Sequence, residues 1–242
     1  MINKFAMNRN YVDSMKISVF IPVYNEEKMI KENISCIMDA LKSINRDFEL
    51  IVVNDASTDN TLKILKEIPH IRIMNYTDGP TRRENLAKSF ESADGDIIMF
   101  MDADLSVDLK NLNRLLEEIE NGADISVGSR YMGIHPNRSL NRLLISVVYN
   151  KIIGLIFDSH VKDHNCGFKA FKKKVLPLIK GMDLDFNRGW FWDAELLIRA
   201  QKKGYIVKEF PVAWCHGEKS SFKIIKELRM VPYIINLKWK LK

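Results

Sequence analysis

Two carboxylates stand one residue apart at Asp102-Ala103-Asp104, directly after the apolar run Ile97-Ile98-Met99-Phe100-Met101. Carboxylates that meet in space repel each other unless a cation joins them, and hard oxygen ligands select Mg²⁺ or Mn²⁺ over softer metals. A continuous apolar run of this length suits a strand buried on both faces of a parallel sheet. Ligands of such sheets bind beyond the carboxyl ends of the strands, where both aspartates would emerge. Side chains alternate faces along a strand, so the pair converges only if the strand ends between them. The plainer alternative is a polar turn, in which Asp is common.

The elements needed to present that pair alternate strand and helix over the first 130 residues, the pattern of a βαβ sheet. Ile17 to Ile21, Phe48 to Val53, Ile71 to Tyr76, Ile97 to Met101 and Ile125 to Gly128 are predicted strands. Helices are predicted from about Glu26 to Leu41, after Ser57 or Thr58 as cap, from Arg83 to Ser92, and from Asp108 as cap to Glu120. Polar residues gather where the strands would end: Tyr24-Asn25-Glu26-Glu27, Asp55-Ala56-Ser57, Asp102-Ala103-Asp104 and Ser129-Arg130. Any one is an ordinary loop; four along the same edge of one sheet form a site. Neither GxGxxG nor GxxxxGK[ST] is present, so neither a dinucleotide fold nor a P-loop is supported.

At 242 residues, with 46% hydrophobic and 28% charged residues, the chain is long enough to bury a core and ordinary for a folded protein. Cys36, Cys166 and Cys215 are widely spaced, which argues against a disulfide framework or zinc knuckle and fits a reducing compartment. No signal peptide and no spanning helix are expected from the apolar patterning. His160 and His164 lack the HExxH pattern and are taken as loop residues, and Cys166 and Cys215 as packing residues. The net charge of +6 resides in the last 24 residues, where seven Lys/Arg face one acid, Glu227. That distribution does not suit a nucleic-acid binder, whose basic footprint covers a face of the domain.

Leu143 to Phe157 is the most apolar stretch, interrupted by Asn150 and Lys151. It suits either a core helix with a polar stripe of Arg142, Ser146 and Tyr149, or a helix lying in a membrane interface. The tail favours the second alternative. A helix over 222–231 would set Ile224, Ile225, Leu228 and Val231 against Lys223, Lys226 and Arg229, with Tyr233, Trp239 and further lysines after Pro232. Aromatic and basic residues together are favoured at lipid headgroups, at about 1 kcal/mol per basic residue near an anionic surface. A solvated terminal helix is the alternative.

Several longer pieces now stand in order: Ile21-Pro22-Val23-Tyr24-Asn25-Glu26-Glu27, Val53-Asn54-Asp55-Ala56-Ser57-Thr58-Asp59, Met101-Asp102-Ala103-Asp104-Leu105-Ser106 and Gly128-Ser129-Arg130-Tyr131. Asp163-His164-Asn165-Cys166-Gly167-Phe168-Lys169, Trp192-Asp193-Ala194-Glu195-Leu196 and Glu209-Phe210-Pro211-Val212-Ala213-Trp214 follow. From residue 17 to about 220 the chain resembles glycosyltransferase family 2, with the GT-A fold. Within that family it looks most like the dolichyl-phosphate glucosyltransferases, then the mannosyltransferases.

The resemblance implies a Rossmann-like, mixed but mostly parallel α/β sheet flanked by helices, with C-terminal amphipathic interfacial helices. It implies a GT-A domain over residues 1–218, with a nucleotide-sugar half at about 16–130 and an acceptor half at about 131–218, then a membrane-associating tail at 219–242. Pro22, Tyr24, Glu26, Glu27 and Ala103 would line the nucleotide pocket, and Asp55 would accept a hydrogen bond from the base. Asp102 and Asp104 would hold Mg²⁺ or Mn²⁺ on the donor's diphosphate, with Ser106 and His216 as further candidate ligands. Relatives carry Asn-x-Gly-Lys-Gly before the carboxylate strand; this chain has Thr81-Arg82-Arg83-Glu84, so Arg82 or Arg83 would serve the diphosphate. Arg130, Arg142, Lys219 and Ser220 would meet the acceptor's phosphate. Asp193 matches the acid that acts as general base when the acceptor is a hydroxyl.

The expected activity is inverting, metal-dependent transfer of a hexose from UDP-glucose or GDP-mannose to dolichyl or polyprenyl phosphate. It would take place peripherally on the cytoplasmic, inner face of a membrane. The leaving nucleoside diphosphate carries charge that a metal stabilises, and a phosphate acceptor is already an anionic nucleophile. Transfer to a hydroxyl of a glycan or cell-surface polymer is one alternative. A catalytically degenerate, nucleotide-binding membrane protein is the other.

Overall fold

The computed structural model describes residues 15–81, 83–132, 140–182, 184, 191–214 and 230–241, with backbone alone over 140–144. Its strands are β1 (Ile17–Val23), β2 (Phe48–Asp55), β3 (Arg72–Tyr76), β4 (Ile97–Met101), β5 (Ile125–Ser129), β6 (Phe168–Lys172) and β7 (Val207–Pro211). They form one sheet in the order β3-β2-β1-β4-β6-β5-β7. Every pairing is parallel except those of β6, which runs antiparallel to both β4 and β5. The expected mixed, mostly parallel α/β sheet is therefore present. Its central parallel strands β1, β2 and β4 are rich in Ile, Val, Phe and Met and buried on both faces, whereas the edge strands β3 and β7 are more polar.

The helices are α1 (Ile30–Ser43), α2 (Thr61–Leu65), α3 (Glu84–Ser89), α4 (Leu112–Glu120), α5 (Leu140–Phe157), α6 (Leu176–Lys180), α7 (Phe191–Lys202) and α8 (Val231–Lys240). α1 buries Ile30, Ile34, Ile37 and Leu41, and α4 buries Leu112, Leu115, Leu116 and Ile119, each a helical-period stripe. Phe90, just after α3, joins the layers: its ring lies 5.0 Å from Phe20, 5.4 Å from Phe171 and 5.9 Å from Trp192. Phe20 and Phe171 meet it edge-on, the favoured arrangement for aromatic pairs.

Asp108 caps as expected, its side chain accepting the Lys110 N–H at the turn that leads into α4. Four expectations change. Ser57 and Thr58 cap no helix, since α2 begins at Thr61; their hydroxyl and amide groups bind Asn25 instead and hold the loop after β1. β6 and β7 add two strands to the five expected, and Pro232 lies in the first turn of α8, where a missing N–H costs nothing. The segment 222–229 lies outside the described residues.

The third change concerns α5. Its polar stripe faces inward: Asn150 is buried beside Ile153 and Phe157, with Ser146 and Tyr149 half-buried, while Val148, Ile152 and Leu155 are exposed. Ile153 and Phe157 pack with Phe191, Ala194, Ile198, Met230, Ile234 and Leu237, so α5, α7 and α8 share a second, smaller core. Finally, His164 is no ordinary loop residue but is fully buried, whereas His160 is exposed. No helix of the described residues is long and apolar enough to cross a membrane.

Candidate active site

The parallel strands deliver their C-terminal ends to one edge, and the polar clusters of the sequence meet there. After β1, Tyr24 is 40% exposed. The Glu26 N–H donates to Thr61 Oγ1 at 2.8 Å, and Glu27 Oε2 accepts from the Asn60 N–H at 3.0 Å. Glu27 therefore ties the β1 loop to the start of α2. Pro22 is half-buried within β1.

Asp55 ends β2 and organises the segment before α3. Its carboxylate accepts from the Thr81 N–H at 2.8 Å, Thr81 Oγ1 at 2.9 Å and Asn85 Nδ2 at 2.7 Å. Gly79 passes so close that a Cβ there would stand 2.8 Å from Asp55 Oδ1. The residue expected to meet a base ring thus also fixes the loop that carries the arginines.

Asp102 follows the last residue of β4. The antiparallel register pairs Met101 with Phe168, which sets Gly167 against Asp102. A Cβ on Gly167 would come within 2.2 Å of Asp102 Oδ2, so only glycine leaves that carboxylate its space. Asp104 is exposed and accepts the Ser106 N–H at 3.0 Å, across Leu105 in the left-handed region (φ 53°). The turn brings Asp104 close enough to raise the Asp102 pKa, although burial is the larger cause. Ala103 contributes its carbonyl, which accepts Asn33 Nδ2 at 2.8 Å. A narrow cleft opens here, lined by Asp102, Leu105, Ser106, Gly167, Phe168 and Trp214.

These residues fit a divalent metal. Two hard carboxylates sit at a strand end, one kept open by a glycine and one facing solvent. No group of three or more His, Cys, Asp or Glu among the described residues could hold the ion alone. That donor set suits Mg²⁺ or Mn²⁺, for which water and substrate phosphate would supply the remaining ligands. A cation with such ligands supplies charge neutralisation for a leaving diphosphate.

Arg83 already touches this site. It precedes α3 with φ 74°, ψ 12°, and its Nη2 donates to Asp102 Oδ1 while Nη1 lies 3.4 Å from Asp193 Oδ2. Burial opposes its charge, but Asp102 and Asp193 outweigh burial and raise its pKa. Asp193, in the first turn of α7, is fully buried and also lies 3.6 Å from Lys169 Nζ. Burial pushes the Asp193 carboxyl up, against the pull of Lys169 and Arg83. Lys169 is itself fully buried in β6, donates to the Cys166 carbonyl and lies 5.4 Å from the Phe100 ring centre. The Cys166 thiol is pushed up to about 12 by burial, so it is an inert packing group.

Arg130 follows β5, with Nε and Nη2 each 2.7 Å from the oxygens of Asp163 and its guanidinium 5.0 Å from the Trp214 ring centre. Burial opposes the ionised carboxyl, but Arg130 prevails and holds Asp163 below the usual range. Arg82, His216, Lys219 and Ser220 lie outside the described residues, as does the side chain of Arg142. Sequence reasoning missed Lys169, Asp163 and Gly167 as site residues. The signal for Lys169 was a lysine inside Phe168-Lys169-Ala170-Phe171, where a buried strand tolerates a charge only with a partner.

The Glycosyl transferase family 2 model matches residues 18–178, from β1 into α6. The chain is 34% identical over 236 residues to glycosyltransferase AglD of Haloferax volcanii, covering 94% of this chain and 38% of that protein. It is 34% identical over 178 residues to a dolichol-phosphate mannosyltransferase of Pyrococcus furiosus, covering 71% of this chain and 49% of the relative. The chain thus spans less than half the length of these two relatives. With a dolichyl-phosphate beta-glucosyltransferase of Trichomonas vaginalis it shares 26% identity over 238 residues, 93% of this chain and 73% of the other. Glucosyl-3-phosphoglycerate synthase of Mycobacterium tuberculosis, solved with Mn²⁺, UDP and phosphoglyceric acid, superposes with a TM-score of 0.70 at 19% identity. That superposition covers 100% of this chain and 82% of the synthase, a likeness of fold. Since the matched segment runs through the carboxylate strand and its antiparallel neighbour, the chain belongs to glycosyltransferase family 2 and has the GT-A fold.

Proposed function

We propose that this protein transfers a hexose, with inversion and with Mg²⁺ or Mn²⁺, from a nucleotide sugar to a polyprenyl phosphate at the inner face of a membrane. The observation that carries the choice of acceptor is the setting of Asp193. A general base needs a free lone pair within reach of the proton it takes. Asp193 is fully buried and lies between Lys169 and Arg83, at 3.6 and 3.4 Å, which suits a charge anchor better than a base. A phosphate acceptor needs no base, only cations to receive it, and Arg130 is held beside the Asp102 cleft by Asp163 and Trp214. The relatives named for dolichyl phosphate support the same acceptor class. Exposed Leu155 and Trp239, with Lys151, Lys238 and Lys240, supply a surface compatible with lipid. Asp102 and Asp104 would hold the metal, and Asp55, Tyr24, Glu26 and Glu27 would border the nucleotide.

The test is to incubate membranes and purified protein with labelled UDP-glucose or GDP-mannose. A lipid-extractable, acid-labile product that disappears on chelation is expected with one of the two donors; its absence with both would sink the proposal. Asp102→Ala should keep the fold by circular dichroism and lower transfer about 10³-fold, since metal stabilisation of the leaving group is worth several kcal/mol. Asp193→Asn should retain substantial rate at saturating Mn²⁺, whereas loss of all activity would favour a hydroxyl acceptor.

A further inference from the structure

The contacts of Arg83 exceed what a diphosphate-binding side chain needs. Its backbone sits at φ 74°, ψ 12°, a conformation that costs a non-glycine residue free energy and persists only where the surroundings enforce it. The Arg83 carbonyl accepts the Ala87 N–H at 3.0 Å, so the residue is fixed at the start of α3. From that point its guanidinium reaches between the end of β4 and the first turn of α7. One nitrogen bonds Asp102 and another lies 3.4 Å from Asp193 Oδ2. The planar fork of arginine engages the two carboxylates through separate nitrogens held in a fixed geometry, where lysine offers one ammonium on a flexible stem.

Asp193 is prepared for more than that contact. Its Oδ2 is shared by Arg83 and Lys169, but its Oδ1 is buried and has no hydrogen-bond partner among the described residues. A buried carboxylate oxygen without a donor is costly, and a guanidinium engaging both oxygens is the arrangement that satisfies it. Lys169, the second residue of β6, stays at Asp193 and keeps the carboxylate in place.

We propose that Arg83 is a two-seat cation. It sits on Asp102 when no metal is there, and it is taken up by both oxygens of Asp193 when Asp102 turns to a divalent ion. Lys169 and Asp193 are then positioning residues that set how readily the metal gains Asp102. The first seat keeps the half-buried Asp102 carboxylate compensated between turnovers. The second keeps the displaced guanidinium next to the diphosphate side of the cleft. The proposal rests on the assignment of Asp102 as a metal-holding carboxylate.

The experiment measures Mn²⁺ binding, alone and with UDP or GDP added, from the loss of its free electron paramagnetic resonance signal on titration with protein. Removing the competitor in Arg83→Gln should tighten Mn²⁺ binding about tenfold, the scale of a single coupled contact. Arg83→Lys should tighten it less. Asp193→Asn, which removes the second seat, should weaken Mn²⁺ binding. The same change in the Arg83→Gln background should have little effect; an equal weakening in both backgrounds would reduce Asp193 to a distant charge and overturn the mechanism. Thermal melts report whether each variant folds, and if Asp193→Asn does not, the Arg83 variants decide. Unchanged or weaker Mn²⁺ binding in Arg83→Gln overturns the proposal. Asp102→Asn separates the two levels. If it binds Mn²⁺ like the parent, or if no variant binds Mn²⁺ either alone or with UDP or GDP added, the metal assignment itself fails. If Mn²⁺ binding depends on Asp102 but not on Arg83, only the two-seat device fails.

Discussion

The imidazole of His164 is buried between Asn150 Oδ1, 2.7 Å from Nδ1, and Ser159 Oγ, 2.9 Å from Nε2. That pairing suits a neutral ring donating through Nδ1 and accepting at Nε2, and burial pushes the His164 pKa down to about 4. The folded value lies below the ordinary one of about 6.5, so the unfolded chain binds the proton more readily. His164 therefore contributes stability that is complete above about pH 6.5 and is lost as pH falls toward 4, about 3 kcal/mol over the window. Urea unfolding at about pH 7 and about pH 5 should show a larger loss in the parent than in His164→Gln; equal losses would refute the assignment. At this scale the sequence exposed the residues that carry motifs: Asp102, Arg130 and Asp193. It did not expose their partners. Asp163, Lys169 and Gly167 meet them through strand register and a return loop, and no local spacing encodes which residue of β6 faces Asp102.

α5 illustrates what periodicity alone leaves open. Nearly every residue from 143 to 157 is apolar, so composition does not say which face is covered. The inward face is decided by Asn150, which accepts from the His164 N–H at 3.0 Å and donates to the Ser146 carbonyl at 2.8 Å. Satisfying that amide turns Val148, Ile152 and Leu155 to solvent, and Leu155 is 85% exposed. α8 repeats the pattern, seating Ile234 and Leu237 while Ile235 and Trp239 point out, the latter 70% exposed. Neither Leu155 nor Trp239 is part of either buried core. Leu155→Glu with Trp239→Glu should leave the melting temperature within about 2 °C and cut co-sedimentation with anionic vesicles at least tenfold, because burying such side chains yields about 1.5–3 kcal/mol each. Unaltered co-sedimentation would remove these two helices from any membrane contact.

Across the whole molecule, stability is unevenly distributed. The sheet and its covering helices share one large core, whereas α8 rests on the small cluster formed with α5 and α7. Regions with fewer buried contacts open at lower free-energy cost. Hydrogen exchange followed by mass spectrometry should find the amides of α8 exchanging well before those of β1, β2 and β4; uniform protection would contradict the two-core description. The first five strands were legible as short apolar runs, whereas the parallel edge strand β7, which carries Lys208 and Glu209, was not. Nor was β6, since Phe168-Lys169-Ala170-Phe171-Lys172 shows neither its antiparallel direction nor its insertion between β4 and β5. That insertion also orders the protein's assembly in time. β5 pairs only with β6 and β7 among the described strands, both made later, so a chain emerging from the ribosome holds four ordered strands and a fifth waiting for its neighbour. Until residues 167 and 168 arrive, the strand bearing Asp102 has one raw edge. A gene fusion or truncation that cuts between 130 and 168 would therefore discard the wall of the carboxylate site along with Asp163, the partner of Arg130, and the front half of this chain is not a module that could be inherited alone.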